Sequence, residues 1–229
     1  MTEEFRTDYT YIRRRGRTTA AQHRAIEGAL DHYLTAVGDV EELARDAMGF
    51  GVEIGFGMGD ALTLWARERP QWQFLGIDLY LPGVGSLVNK LEHEGISHVS
   101  IMTEPAQEVF SRFSTDLIDE VRVLFPDPWP KKRHLKRRLL QPDFVSEIAR
   151  TLKPGGKLLI ATDWAPYADW IREVVGSEAR LKLIEDRIRE SNAPSVRERA
   201  TKFERRGERL GHRIHDFTYH KNSATTESR

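Results

Sequence analysis

The sequence contains no cysteine at any of its 229 positions. Disulfide bridges, thiolate metal sites and cysteine nucleophiles are therefore excluded, and the composition suits a reducing compartment. The sequence also lacks an apolar run of membrane-spanning length, and its N-terminus lacks the apolar core of a signal peptide. We therefore expect a soluble protein of the cytoplasm.

The sequence has no excess of charge of either sign, since 35 Lys and Arg residues balance 35 Asp and Glu residues. The basic residues are nevertheless clustered. KKRHLKRR at 131–138 has six Lys or Arg residues in eight positions, and RRRGR at 13–17 has four in five. Such local patches bind phosphate groups even on a neutral protein, although a basic run is as often a solvated face. Nucleic acid is therefore a candidate partner.

Short apolar strands alternate with amphipathic helices along most of the chain, which predicts an α/β fold with a mostly parallel sheet covered on both faces. The predicted strands lie at 50–55, 73–78, 98–102, 120–125, 157–162, near 181–185 and at 212–219. The predicted helices lie at 19–37, 59–69, 84–94, 105–112, 136–151 and 164–176. Polar alternation in the last strand favours a place at the edge of the sheet.

A single domain is expected over residues 18–221, because no linker or internal repeat interrupts this pattern. Residues 1–17 are polar and basic and are predicted to form a flexible arm, and the tail at 222–229 is predicted to be disordered. No carboxylate cluster or helical histidine pair accompanies His212 and His215, so no metal site is predicted.

A glycine-rich loop follows the first predicted strand and leads into a helix. Gly55, Gly57 and Gly59 in this loop allow a tight turn and a close approach of the backbone to a ligand. A glycine pattern of this kind is weak evidence by itself. Two nearby acids make a nucleoside cofactor the favoured interpretation.

The first of these acids, Asp78, ends the second predicted strand, where a carboxylate can accept hydrogen bonds from ribose hydroxyls. The second, Glu53, lies just before the glycines. It suits a ligand with a positive centre, such as the sulfonium of S-adenosylmethionine, and would oppose a pyrophosphate. An NAD site would explain Asp78 without needing Glu53, and Glu53 could instead cap a turn.

The segment VLFPDPWPKKRHLKRR at 123–138 brings an acid, an aromatic ring and a basic run together. Asp127 follows the fourth predicted strand, at the edge where such sheets bind ligands, and lies between two prolines that stiffen the loop. Trp129 offers a stacking face. A flipped-out guanine needs this set, because its N1–H and N2–H groups suit a carboxylate, its ring stacks on an aromatic side chain and its phosphates bind Lys and Arg. The alternative is an ordinary proline-rich turn.

Guanine N7 carries an unprotonated lone pair, so methyl transfer to it requires no general base. We therefore expect Asp127 to orient the guanine and to offset the positive charge that develops on its ring. Asp163 in ATDW ends the fifth predicted strand, where it either binds substrate or caps the next helix. TKFE at 201–204 either closes over the base or belongs to a solvated arm.

The chain closely resembles the bacterial tRNA (guanine-N7)-methyltransferases in segments spread over nearly its whole length. The matching segments are RGRTTAAQ (15–22), EIGFGMG (53–59), GVG (83–85), PDPWPKKRHLKRR (126–138), ATDW (161–164) and TKFERRGERLGHRIHDF (201–217). The resemblance implies a Rossmann-like class I methyltransferase with a seven-stranded sheet whose last strand is antiparallel. It also implies methyl transfer from S-adenosylmethionine to N7 of the variable-loop guanine of tRNA, position 46 in the usual tRNA numbering, by a monomer or a homodimer.

The resemblance also implies roles for individual residues. The cofactor-binding set comprises the two strand-end acids, the loop glycines and the catalytic acid: Glu53, Asp78, Gly55, Gly57, Gly59 and Asp127. The catalytic residue is Asp127. The substrate-binding set comprises Lys131, Asp163, Thr201, Lys202, Phe203 and Glu204. The RNA-contacting set comprises Arg133, His134, Lys136, Arg137 and Arg138.

One position departs from the family pattern. After the third strand the family usually has an Asp-Ala pair that contacts the adenine of the cofactor, whereas this chain has Pro105 at the Asp position. Proline has neither a backbone N–H nor a carboxylate, so the contact is expected to pass to Glu104 or to the backbone of Ala106.

Two other functions stay open. An NAD-dependent oxidoreductase would need a hydride-transfer site, for which the sequence offers no support. An RNA-binding module without catalysis would not need Glu53, Asp78 and Asp127 together.

Overall fold

The computed structural model describes residues 18–189 and 213–223, and a seven-stranded sheet organises them. The strands are β1 (Phe50–Ile54), β2 (Gln73–Ile77), β3 (Val99–Met102), β4 (Ile118–Leu124), β5 (Leu152–Thr162), β6 (Leu181–Arg189) and β7 (Ile214–Lys221). Their order across the sheet is β3-β2-β1-β4-β5-β7-β6. Strands β1 to β5 are mutually parallel, and β7 is antiparallel to both of its neighbours. The predicted mostly parallel sheet with an antiparallel last strand is thereby confirmed.

The register of the parallel strands brings their carboxyl ends to one edge of the sheet. Ile54 at the end of β1 lies opposite Ile77 of β2 and Val123 of β4, and Leu124 of β4 lies opposite Ala161 of β5. From β1 the chain passes to β2 on one side, whereas β4 lies on the other side. In open sheets of this type, ligands bind at such a reversal of strand order, outside the carboxyl ends.

Seven α-helices accompany the sheet in the described residues. They are α1 (Ala20–Gly28), α2 (Val37–Asp46), α3 (Asp60–Glu68), α4 (Leu81–Glu94), α5 (Ala106–Arg112), α6 (Pro142–Thr151) and α7 (Ala165–Gly176). Their apolar side chains form two separate clusters, one that includes α1, α3 and α4 and one that includes α2, α5, α6 and α7. Each cluster also contains strand residues, so the sheet has a hydrophobic core on each face.

The single helix predicted at 19–37 is wrong, because α1 ends at Gly28 and is followed by a 3₁₀ turn at Leu30–His32. Contacts remote in sequence redirect the chain here. The Tyr33 hydroxyl donates to Glu92 over 2.7 Å, and Leu34 forms an isolated bridge with Ile101 of β3. The helical stripe therefore gives way to an extended segment that lies along the outer edge of β3.

The helix predicted at 136–151 begins later than expected. Residues Lys132–Arg137 form a 3₁₀ turn, and α6 begins at Pro142. Proline suits the first turn of a helix because its missing N–H would have no partner there.

The predicted edge position of the last strand is wrong, because β7 lies between β5 and β6, and β6 forms the edge. Two polar residues of β7 have partners on the neighbouring strand β6 and on helix α7. Asp216 forms an ion pair with Arg189 of β6, and the ring of His215 lies 3.4 Å from the Arg172 guanidinium of α7. Burial and the charge of Arg172 lower the pKa of His215, and the nearby carboxylates oppose this effect.

Within residues 18–189 and 213–223, none of the helices combines the length and the apolar character needed to cross a membrane. The same residues contain no group of three or more His, Asp or Glu side chains arranged to hold a metal ion. The predicted basic arm at 1–17 and the last six residues of the predicted tail lie outside the described residues.

Candidate active site at the carboxyl edge of the sheet

The glycine-rich loop between β1 and α3 has left-handed backbone angles at three alternating positions. The φ angles are 75° at Gly55, 57° at Gly57 and 81° at Gly59, where a residue with a Cβ would be strained. Gly55 is exposed, and a Cβ built on it would meet no protein atom within 4 Å. The loop therefore leaves open space for a ligand above the end of β1.

Helix α4 packs against this loop and stabilises it. The carbonyl of Met58 accepts hydrogen bonds from Ser86 Oγ over 3.0 Å and from Lys90 Nζ over 2.5 Å, and Lys90 also pairs with Asp60 at 2.7 Å. Gly83 lies so close that a Cβ on it would come within 2.0 Å of the Gly57 carbonyl oxygen. The GVG segment thus has a steric reason for its first glycine.

The two predicted cofactor acids lie beside this loop. Asp78 follows β2 and accepts hydrogen bonds from the N–H groups of Gly57 over 2.8 Å and Tyr80 over 2.9 Å. Glu53 lies in β1 with only 2% of its surface exposed, opposite Gly76 in the register. The carboxylate of Asp78 thus links the glycine loop to the segment that leads into α4.

The predicted adenine-contact segment begins directly after β3. Glu104 pairs with Arg112 at 2.6 Å, Pro105 is the N-cap residue of α5, and Ala106 is buried. The ion pair of Glu104 is half-exposed, so its carboxylate is still open to solvent on one side. The structure places all three residues at the ligand edge, and which of them contacts adenine stays a prediction.

The loop after β4 presents Asp127 to solvent between two proline residues. Its backbone is left-handed at two residues that are not glycine, with φ of 53° at Phe125 and 44° at Trp129. Such angles cost about 1–3 kcal/mol each and persist where surrounding contacts impose them, often at functional sites. The Phe125 N–H donates to the Ala161 carbonyl of β5 over 2.8 Å. Contacts with other parts of the chain therefore stabilise the conformation of the loop around Asp127, which is not an ordinary proline-rich turn.

Trp129 lies against the basic segment that follows it. The Arg137 guanidinium lies 5.2 Å from the Trp129 ring centroid, and the His134 ring meets the indole edge-on at 5.6 Å. Desolvation lowers the pKa of His134, and the positive charges of Arg137, Arg133 and Lys131 lower it further. The histidine is therefore neutral at neutral pH.

Most of the predicted RNA-contacting residues lie on an exposed 3₁₀ turn. Arg133, Lys136 and Arg137 are exposed, His134 is half-buried, and the substrate-binding candidate Lys131 is exposed just before the turn. Arg138 differs, because only 5% of its surface is exposed. Its guanidinium packs against the Asp127 loop and α7, and its predicted contact with RNA stays a prediction.

Asp163 follows β5 at the same edge and is half-buried. The N-cap residue of α7 is Trp164 rather than Asp163, and the Trp164 side chain makes no capping hydrogen bond. Trp164, which was not predicted as a site residue, has 37% of its surface exposed and is a further candidate for contact with a base. Its position directly after a strand-end acid was the indication that the sequence offered. Thr201, Lys202, Phe203 and Glu204 lie outside the described residues.

Sequence reasoning also missed the support beneath the Asp127 loop. Tyr167 of α7 is fully buried, and burial raises the pKa of its phenol, with a further increase from the charge of Asp127. Tyr167 and Trp170 are three residues apart, a spacing that places two side chains on one face of a helix. This spacing in APYADW could have indicated that two aromatic side chains of one helix face pack beneath the Asp127 loop.

Comparisons with known proteins are consistent with this site. A family model described as "Putative methyltransferase" matches residues 49–217. A tRNA (guanine-N(7)-)-methyltransferase of Acidovorax sp. (strain JS42) is 41% identical over 216 residues, covering 92% of this chain and 84% of that protein. One of the same name from Halorhodospira halophila is 39% identical, covering 92% of this chain and 93% of that protein.

Solved structures with lower sequence identity share the fold. The 16S rRNA methyltransferase KamB aligns with a TM-score of 0.63 and 21% identity, covering 82% of this chain and 94% of that chain. A mutant 16S rRNA (adenine(1408)-N(1))-methyltransferase from Catenulisporales acidiphilia with cosubstrate SAM aligns with a TM-score of 0.59 and 15% identity, covering 85% and 95% of the two chains. The predicted Rossmann-like methyltransferase fold is thereby confirmed.

Proposed function

The chain belongs to the family of bacterial tRNA (guanine-N(7)-)-methyltransferases, and from this premise we propose that it methylates N7 of guanine 46 in the variable loop of tRNA. As a member of this family it is a tRNA methyltransferase that uses S-adenosylmethionine. The observation that carries the proposal is the convergence of the glycine loop, Asp78 and the held Asp127 loop at one edge of the sheet. We propose the cytoplasm as its compartment.

The residues at this edge fit S-adenosylmethionine, which when bound supplies an electrophilic methyl group on a sulfonium. We propose that Glu53 and Asp78 hold its charged and ribose portions, because both are carboxylates beside an open glycine loop. The space next to Gly55 admits backbone approach without a steric clash. A pyrophosphate would meet these carboxylates unfavourably, which argues against a dinucleotide.

We propose that Asp127 accepts hydrogen bonds from the N1–H and N2–H groups of the target guanine. When bound, S-adenosylmethionine would supply its methyl group to guanine N7. The new N–C bond would replace the methyl–sulfur bond, whose electron pair would stay on sulfur in the thioether product, and the guanine ring would carry the positive charge. No proton must leave N7 for this step. A carboxylate in a fixed position near the ring favours the transition state because the ring becomes cationic as the bond forms. We propose that Trp129 and Asp163, both half-buried at the same edge, position the base.

The exposed residues of the 3₁₀ turn, Arg133, Lys136 and Arg137, are proposed to bind tRNA phosphates. Replacing Lys136 and Arg137 by Ala should weaken tRNA binding and reduce the slope of log K against log salt by roughly 0.7–0.9 for each phosphate that is no longer bound. An unchanged slope would remove these residues from the RNA interface. Fluorescence anisotropy at several salt concentrations measures it.

The decisive experiment is mass mapping of the modified nucleoside after incubation with S-adenosylmethionine and unmodified tRNA transcript. We expect 7-methylguanosine at position 46 and none in a transcript with adenosine at that position. Methylation elsewhere would contradict the proposed position while leaving the enzyme class intact. Calorimetry with NAD addresses the oxidoreductase alternative, for which we expect no binding.

Asp127→Asn tests the proposed role of the acid. The amide keeps the size of the side chain but removes its charge and half of its acceptor capacity. We expect kcat to fall about 100-fold or more, with the Kd for S-adenosylmethionine changed less than about threefold. Turnover close to that of the native enzyme would reject the role.

A further inference from the structure

Arg138 is the buried member of a basic segment that is otherwise exposed or half-exposed. In residues 131–138, all of which the structure describes, only this side chain falls to 5% exposure. Arginine is among the residue types least often buried, and it is buried where its guanidinium has specific partners. The contacts of Arg138 therefore indicate its role better than its position in a basic run does.

The Arg138 guanidinium bridges the Asp127 loop and α7. Its Nε donates to the carbonyl oxygen of Pro128 over 2.9 Å. Its central carbon lies over two aromatic rings of α7, 4.9 Å from the centroid of the Tyr167 ring and 5.3 Å from that of the Trp170 ring. Trp170 in turn donates through its indole N–H to the Leu140 carbonyl over 2.8 Å. Arginine stacks and donates at the same time, which lysine cannot do equally well.

The Pro128 carbonyl lies at the most constrained part of the loop. It follows Asp127 directly and precedes Trp129, whose φ of 44° is left-handed. Proline has no N–H, so the carbonyl is the only backbone hydrogen-bonding group that residue 128 can use as an anchor. Loss of its donor would let this peptide rotate and the left-handed angle relax, and Asp127 would move with them.

We infer that Arg138 is a positioning residue, which fixes the Pro128 carbonyl and thereby the placement of Asp127, and that it does not bind RNA. The inference rests on the proposed role of Asp127 in holding guanine. It assigns two tasks to one basic segment. The exposed residues bind phosphate, and the last arginine acts from inside on the loop that carries the acid.

The test compares Arg138→Ala with Lys136→Ala, a change of an exposed basic residue two positions earlier. For Arg138→Ala we expect kcat to fall about 10- to 100-fold, as for a small misplacement of a catalytic group. The salt slope of tRNA binding and the Kd for S-adenosylmethionine should stay unchanged. Amides of residues 125–131 should exchange faster with deuterium in the free protein. For Lys136→Ala we expect a reduced salt slope and unchanged exchange in this loop.

Arg138→Lys separates charge from geometry and carries the test if the alanine variant does not fold. Lysine keeps the charge but loses the planar group that both stacks and donates. We expect kcat to stay well below that of the native enzyme with an unchanged salt slope. Full recovery of kcat would overturn the inference, because charge alone would then suffice.

Two further outcomes would overturn it. One is a salt slope in Arg138→Ala that falls as it does in Lys136→Ala, which would return Arg138 to the RNA interface. The other is unchanged amide exchange in the 125–131 segment. Since exchange is measured without tRNA, it tests the positioning contact even if Asp127→Asn were to show that the acid has another role.

Discussion

The two loops that form the candidate site reach left-handed backbone angles by different means. The loop after β1 places glycine at all three of its left-handed positions, whereas the loop after β4 places Phe125 and Trp129 there. Glycine adopts this region at little cost. A residue with a side chain does so at a cost of about 1–3 kcal/mol, which other contacts must offset.

The two loops are therefore stabilised by different kinds of contact. The glycine loop can form its turn from its own sequence and needs α4 mainly as a close-fitting support. The Asp127 loop depends on contacts from residues distant along the chain, the Ala161 carbonyl and the Arg138 guanidinium. We therefore expect changes near the first loop to affect cofactor binding and changes near the second to affect turnover.

Among changes in the contacts that support the two loops, Gly83→Ala should have the largest effect on cofactor binding, because the new Cβ would lie 2.0 Å from the Gly57 carbonyl oxygen and would force the loop and α4 apart. Overpacking of this kind costs roughly 1–3 kcal/mol, so we expect the Kd for S-adenosylmethionine to rise about 10- to 100-fold by calorimetry. Gly28→Ala is the matched control, since its Cβ would meet nothing within 4 Å. Unaltered affinity in Gly83→Ala would show that α4 does not shape the cofactor loop.

Phe125→Gly should have the next largest effect and should act on turnover. Glycine removes the cost of the left-handed angle, but it also frees the start of the Asp127 loop. We expect kcat to fall about tenfold while the Kd for S-adenosylmethionine stays within about twofold. Steady-state kinetics and calorimetry together measure this. A change in cofactor affinity without a change in kcat would contradict the separation of the two loops.

Lys90→Met should have a smaller effect on the cofactor loop. It removes one of two hydrogen bonds to the Met58 carbonyl and a half-exposed ion pair with Asp60, while the Ser86 bond remains. We expect a rise of about two- to fivefold in the Kd for S-adenosylmethionine, as for the loss of one modest polar contact. Lys153→Met, which removes a similar ion pair with Asp119 at 2.7 Å, should leave this Kd unchanged.

The smallest expected effect is the pH dependence contributed by His134 beside Trp129. Its pKa is lowered from 6.5, so the ring is neutral at pH 7 and gains a proton only as the pH falls further. A new positive charge next to bound phosphates favours binding, so the Kd for tRNA should be flat from pH 7 to 8, should decrease by less than about fivefold as the pH falls toward the pKa of His134 in the free protein, and should level off below it. His134→Gln should remove this decrease in binding titrations. Weaker binding at low pH that depends on His134 would contradict the assignment.

Much of the fold could be predicted because buried parallel strands produce continuous apolar runs. The runs at FGVEI and QFLGI are buried along their whole length and correspond to β1 and β2. The prediction of one helix at 19–37 failed because the hydrogen bond from Tyr33 to Glu92 joins residues 59 positions apart. Local periodicity does not reveal such a contact. The prediction of an edge position for β7 failed for a similar reason, since the partners of Asp216 and His215 lie on β6 and α7.

The same distinction between local and long-range contacts applies to the residues of the candidate site. The acids could be found because the carboxyl end of a strand, a glycine loop or a pair of prolines marks each of them locally. The burial of Arg138 could not be predicted, because the residue stands in a basic run of the sequence, whereas its environment depends on Tyr167 and Trp170 about thirty residues later.

The alternation of strands and helices, the glycine turn and the chemical types of the side chains at the sheet edge could be predicted from the amino-acid sequence. All of these depend on neighbours within a few residues. The strand order at the far edge of the sheet, the left-handed angles at Phe125 and Trp129, and the burial of Arg138 became apparent in the folded chain alone. Burial and strain depend on atoms brought together from distant parts of the chain, and no local pattern specifies them.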